Sequence, residues 1–554
     1  MLDPRRLLIA FVSDWSGDDD VYVLDPATGE LVNLTRAPGE DRDPVFSVDG
    51  RLLIFRSNAG GSWASYSVDL QTGQRAPLSD DDRTTTAYRG HLAPSAWDGS
   101  YRYAYESYRD GYLRIYACNQ EGVHHPLTSG TPGDHGPAWR PGTPQVAFAS
   151  WREGQKDLYL VDVTDGGLVR LTADAADEEE PSWHPDGQRL AFVRWQDGDA
   201  DLYELDVPRG LVRRLTDSPY PDRSPAYAAN GTLFWTRYVP GKPFEVHDPF
   251  YPGHWRLWMC AAGGSERQVP LPVAEMDVYT PAAGIALWPT RISSGLVSPT
   301  PTPTLVPGER VALARLDIQC AGGDPRLNAL LVDDYHAWRE AVYAQSGYDV
   351  LGTISDMFRP LGYGTRNYGH LSWHRTGRAV DLLFEWHDPS DGPNQLLVTR
   401  ENLGPQTYWR LYLRCREQDG TMGEPMTVAP WVFWFDLDRA QEPDAVAAGG
   451  KPGDIPAGYY VDLTRLASRY GWHRIASYQE SDFDWKTDSV GREFWHYQKT
   501  EGLTWWQAMG QIYPLQTLEA LYGWEVCLET LDMGPLWLQA KGIPTPTPAN
   551  RSVP

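Results

Sequence analysis

A chain of 554 residues is longer than one hydrophobic core organises, so it predicts two or three domains. Hydrophobic residues make up 41%, ordinary for a soluble globular protein, while the 24 Trp and 30 Tyr fit β-rich domains and grooves that face sugars or peptides. A formal net charge of -25 repels phosphate backbones, which excludes nucleic acid as a partner and argues against adhesion to anionic lipid.

The chain opens with Arg5 and Arg6 and a short apolar run, Leu7 to Val12, which reads as a β-strand. That run is too short for a signal peptide, so an exported protein would carry its signal upstream or have lost it. No stretch approaches the roughly 20 apolar residues of a membrane span. The five cysteines, Cys118, Cys260, Cys320, Cys415 and Cys527, stand apart with no CxxC. They predict neither a cysteine zinc site nor a disulfide framework, and at most a single bridge.

Internal repetition dominates the first half. Copies read IAFVSDWSGDDDVYVLDPATGELVNLT, VAFASWREGQKDLYLVDVTDGGLVRLT and LAFVRWQDGDADLYELDVPRGLVRRLT. The Leu-Thr or Leu-Ser pair that ends each copy falls at Leu34, Leu78, Leu127, Leu171 and Leu215. A spacing of about 44 residues suits a four-stranded propeller blade. Between copies lie turns such as PSWHPDG (Pro181 to Gly187) and PVFSVDG (Pro44 to Gly50), whose Asp-Gly supplies the backbone of a tight hairpin. There are six copies, the sixth degenerate and longer, from Thr232 to about Pro272. The first copy lacks a leading strand, which Tyr279 to Pro289 is placed to supply, closing the ring and removing its open edges. Residues 1–290 resemble the TolB-type six-bladed propellers, and the resemblance implies the fold and a role in binding partners or gating substrates.

Ser298 to Gly308 (SPTPTPTLVPG) predicts an extended spacer, and Ile543 to Pro548 repeats its composition. Between them the composition changes. Arg326 to Gln345 predicts a helix, Val350 to Phe358 and Ala379 to Phe384 predict strands, and Leu463 to Tyr470 predicts a helix capped by Gly471. After Lys499 a further helix pair is expected, its aromatic stripe buried as core. Mixed order of this kind predicts an α+β domain. The expected division is therefore a propeller over 1–292, a Pro/Thr-rich linker over 293–309, an α+β domain over 310–540 and a Pro/Thr-rich tail over 541–554.

The chemistry-bearing pattern is Ser372-Trp-His374-Arg-Thr-Gly377-Arg-Ala379-Val-Asp381, followed far downstream by Glu493-Phe-Trp-His496. Two imidazoles and one carboxylate leave a fourth position open on a divalent metal and keep the centre positive, which lowers the pKa of a bound water. Gly377 and Ala379 are small and allow close approach, and alternation along a strand places Ala379 and Asp381 on one face. A carboxylate among apolar strand residues is costly unless it is paired or holds a metal. The two motifs resemble those of the VanY/VanX-type zinc D-alanyl-D-alanine carboxypeptidases. The resemblance implies that His374, Asp381 and His496 hold Zn2+ and that Glu493 is the general base. It also implies that Arg359, in ISDMFRP, holds a substrate carboxylate or developing oxyanion, with Ser372 beside it as a substrate-binding residue. Here Asp356-Met357-Phe358 stands where that family has Gly-Tyr.

His370, His387 and His473 are competing candidates and are placed on a β-like stretch, a surface loop and a helix end. The segment containing Trp431 to Phe435 and Ala447 to Asp454 exceeds a minimal peptidase and predicts a lid or substrate wall. No G-x-S-x-G follows residue 290 and no HExxH occurs, which excludes a propeller-linked serine hydrolase. The expected whole is a zinc peptidase acting on peptidoglycan or related short peptides, with a propeller for a protein partner or the substrate. The implied substrate places it outside the cytoplasm. The alternative is a non-catalytic binding protein with a degenerate peptidase fold.

Overall fold

The computed structural model describes residues 5–546 except 37–38, 60–62, 79–87, 95–99, 108–111, 131–132, 197–198, 241–252, 274–275, 290–309, 362–370, 388–393, 481–482 and 532. The predicted Pro/Thr spacer, His370 and the end of the tail lie outside the described residues.

The first half forms six four-stranded antiparallel sheets. One blade consists of Asp177–Trp183, Arg189–Gln196, Asp199–Asp206 and Leu211–Arg214. Its second and third strands bury Leu190, Phe192, Leu202 and Leu205, while its fourth is exposed. Apolar faces of neighbouring blades interlock, as where Leu158 and Leu160 of one meet Trp183, Leu190 and Phe192 of the next. The threonine that ends each repeat has a structural task. Thr35, Thr128, Thr172 and Thr216 each accept, through Oγ1, a hydrogen bond from an amide at the start of a third strand: Val21, Ile115, Leu158 and Leu202, at 2.9–3.1 Å. The ring closes as expected, with Tyr279–Ala286 pairing antiparallel to Arg6–Ser13.

The second half is mixed in structure. Leu313–Arg315 pairs with Arg326–Asn328, and a 3-10 turn leads into helix α1, Val332–Ser346. The helix thus begins later than predicted, because Arg326–Asn328 is recruited to a strand pair and the Asn328 side chain caps the turn. The predicted strand at Val350 to Phe358 is also corrected. Thr353–Ile354 pairs with Gln319–Cys320, Asp356 bridges Asp381 and Phe358 bridges Asp324. A segment that divides its hydrogen bonds among three partners does not run as one strand.

Ala379–Asp381 (β1), His473–Arg474 (β2) and His496–Gln498 (β3) form a sheet in the order β1-β3-β2. Helix α2, Leu463–Arg469, is N-capped by Asp462 and followed by Gly471 at φ +74°. Instead of a helix pair, the C-terminal stretch forms four short helices: Trp505–Gly510, Leu515–Tyr522, Trp524–Glu529 and Pro535–Ala540. Pro514 and Gly523 interrupt the run. Their aromatic residues are core, as expected, with Trp505 and Trp506 packed on Leu371 and Trp373. Packing continues through Ile543, which is buried in that cluster. None of the five cysteines forms a disulfide. Among the described residues no helix is long and apolar enough to cross a membrane.

The two halves are docked. Asp19, fully buried, receives Arg42 of the propeller at 2.6 Å and Arg465 and Arg469 of α2 at 2.8 and 2.9 Å. Glu40 binds Arg469 and accepts from Gln345 of α1 at 3.0 Å. Lys156 donates to the Thr427 carbonyl at 3.2 Å, and Arg465 lies 4.8 Å from the Tyr279 ring centre. Asp19, Glu40, Lys156 and Tyr279 all lie where the first or third strand of a blade begins, so one face of the ring carries the second half.

Candidate metal centre

Ser372 and Gly377 bracket a 3-10 turn, Trp373–Thr376. The Ser372 hydroxyl accepts from the His374 amide at 3.3 Å, so its task is to cap the turn. Gly377 ends it in the left-handed region, at φ +63°. A Cβ there would sit 2.7 Å from Leu313 Cδ2 and 2.9 Å from the Asn328 nitrogen, so the close approach inferred from its size is real. The turn buries His374. Its Nδ1 lies 2.6 Å from the Met357 carbonyl, which only accepts, so Nδ1 carries the hydrogen and Nε2 the lone pair.

Asp381 and His496 are cross-strand partners in β1 and β3, which places their side chains together. His496 Nε2 lies 3.2 Å from Gln498 Oε1, so its Nδ1 faces Asp381 Oδ1 at 2.8 Å. The same Asp381 oxygen is 3.1 Å from His374 Nε2. The donors of His374, Asp381 and His496 all lie within 4.8 Å of one another, and all three residues are buried. His374 Nε2 is buried without a hydrogen-bond partner. A lone pair turned toward a carboxylate oxygen is unfavourable unless a cation lies between them, so this arrangement fits a divalent metal.

Glu493 follows the 3-10 turn Ser489–Arg492 and adopts φ +55°, a strained conformation for a residue with a Cβ. Burial raises its carboxyl to about 7, against the pull of His496 and Arg359. Arg359 lies beside the centre, with its Nε donating to Asp356 Oδ2 at 2.6 Å and its Nη2 3.5 Å from Asp381 Oδ2. His387 is exposed beside Glu385, and His473 lies on β2 rather than at a helix end. Neither joins the cluster. Sequence reasoning missed Gln498 and the Met357 carbonyl. Strand alternation from His496 would have flagged the former, whereas a main-chain carbonyl leaves no trace in residue type.

Residues 86–246 match a family described as the TolB beta propeller domain. The N-terminal region is a TolB-type β-propeller. A TolB homolog from Chlorobium chlorochromatii (strain CaD3) is 29% identical over 145 residues, 26% of this chain and 31% of that protein, so less than a third of the relative is spanned. TolB from Acinetobacter baumannii is 20% identical with a TM-score of 0.43, over 50% of this chain and 66% of that one. Oligogalacturonate lyase from Vibrio parahaemolyticus is 16% identical with a TM-score of 0.34, over 47% and 73%.

Proposed function

We propose that the second half is a zinc-dependent peptidase acting on short peptides of the D-alanyl-D-alanine type, and that the TolB-type propeller serves recognition. The observation that carries this reading is the convergence of His374, Asp381 and His496, with each imidazole turned by an acceptor behind it so that a lone pair faces the shared carboxylate. A zinc ion held there would act as a Lewis acid and lower the pKa of a water molecule beside it.

The chain's own residues supply the rest. Glu493, half-buried, takes a proton from the attacking water and returns it to the leaving amine. Arg359 is oriented by Asp356 and faces the free oxygen of Asp381, which suits it to steady charge that develops at the centre. Such a substrate implies work outside the cytoplasm, and the division of the chain at 293–309 separates recognition from chemistry.

Metal analysis of the full chain should give about one zinc per protein, lost in His374→Ala and Asp381→Ala. Glu493→Gln should keep the zinc and lower peptide hydrolysis by about 100- to 10,000-fold. A wild-type chain without stoichiometric metal, or one whose hydrolysis equals that of Glu493→Gln, would leave a binding protein with a degenerate peptidase fold.

A further inference from the structure

The guanidinium assigned by sequence to a substrate carboxylate is already engaged, since Arg359 binds Asp356 at 2.6 Å and approaches Asp381. A second guanidinium belongs to Arg492, the residue before Glu493 in the chain. The Arg492 head packs over four rings, 4.5 Å from the centre of Phe433, 4.8 Å from Phe435, 5.2 Å from Phe494 and 5.6 Å from Trp495. Its Nε donates to the Ser489 carbonyl at 2.6 Å. Among the described residues no carboxylate forms an ion pair with it, and Asp436 and Asp488 act only at longer range. Burial lowers this guanidinium to about 10, as expected for a desolvated cation without a counter-ion. Cation–ring contact offsets part of that cost, and a carboxylate would offset far more.

The rings that hold Arg492 come from segments that adjoin the metal-centre residues in the chain. Phe384 lies three residues after Asp381 and packs at a tilt against Trp495, with ring centres 4.2 Å apart. Phe494 and Trp495 separate Glu493 from His496 in the chain. Phe433 stacks on Phe494 at 6.1 Å and on Phe435 at 5.7 Å. Phe435, beside the cation, and Phe384, against Trp495, remain 43% and 52% exposed, so both leave ring surface uncovered.

We propose that Arg492 anchors a carboxylate of the peptide substrate, with the open faces of Phe384 and Phe435 taking up its adjoining apolar part. The identity of the ligand as a peptide rests on the peptidase reading, whereas the anionic anchor does not require turnover. The guanidinium fork donates two parallel hydrogen bonds to a carboxylate, and the rings around it exclude water that would weaken them.

The test is equilibrium binding to the full-length Glu493→Gln protein, followed by tryptophan fluorescence. The probes are N-acetylated tripeptides ending in D-Ala-D-Ala, each as a free acid and as its C-terminal amide, and with Glu or Gln at the first position. One acid is expected to bind about tenfold more tightly than its neutral counterpart. Arg492→Gln should bring that ratio close to one, and Arg492→Lys should retain part of it. Equal binding of every acid and neutral pair, or an unchanged ratio in a folded Arg492→Gln protein, overturns the proposal. If Arg492→Gln does not fold, an unchanged ratio in Arg492→Lys overturns it instead. Acid-selective binding by Glu493→Gln, together with a wild-type chain that hydrolyses none of these peptides, sinks the peptidase reading and leaves the anchor standing.

Discussion

At the scale of residues, the centre depends on groups that set direction as much as on those that hold charge. His374 presents Nε2 because the Met357 carbonyl occupies Nδ1, and Gly377 lets the turn close against Leu313 and Asn328. Gly377→Ala should therefore destabilise the second half by about 1–3 kcal/mol, since φ +63° and the contacts of a new Cβ both penalise alanine. Thermal unfolding with and without zinc checks this, and a variant as stable as wild type would show that the turn relaxes freely. The convergence of His374, Asp381 and His496 was legible in the sequence because both motifs are short and local, one a capped turn entering a strand and the other the start of its partner strand. The Ser372 hydroxyl, expected to bind substrate, accepts from the His374 amide and so caps the turn. Arg492 was not legible at all, because its distinction is the absence of an ion pair and the company of rings drawn from separate segments.

At the scale of elements, the repeat ending in Leu-Thr is explained by one hydrogen bond. The Thr hydroxyl satisfies a buried strand amide that the short outer strand does not reach. Thr172→Val should leave the Leu158 amide unsatisfied at nearly constant volume and cost about 1–3 kcal/mol. Urea unfolding measures the loss, and amide exchange should show faster protons in Asp157–Asp162. Elements in the propeller were readable because every blade repeats one local pattern and the missing first strand announced its replacement. Boundaries in the second half were less readable. There Arg326–Asn328 and the stretch from Thr353 to Phe358 take their form from partners distant in sequence rather than from their own periodicity.

At the scale of the molecule, the docked face is the feature the sequence concealed, since Asp19 and Arg469 are charged residues of ordinary appearance far apart in the chain. Removing one partner of a buried ionic cluster leaves the others uncompensated. Asp19→Ala should weaken the contact by about 3–5 kcal/mol and show as an extended particle in small-angle scattering. Burial pushes the Glu40 carboxyl up, but Arg42 and Arg469 outweigh it and bring it from its ordinary 4.5 to about 2. A depressed carboxyl gives its full contribution above the unfolded value, so this share is present above about 4.5 and fades as the pH falls toward 2. Asp14 has the opposite sign: burial, with Asp277 and Asp19, raises it from 3.8 to about 6, and its contribution fades as the pH rises through that range. Scattering or proteolysis across pH should find separation below about 4.5, and a contact indifferent to acid would show that the ionic cluster does not hold it.

The pairing of Tyr279–Ala286 with Arg6–Ser13 also orders events during synthesis. The first strand leaves the ribosome long before its partner exists, so the blade begun first is the last to be finished. Until then its edge is open to any other extended chain, and the wait is set by translation speed rather than by the stability of the completed ring.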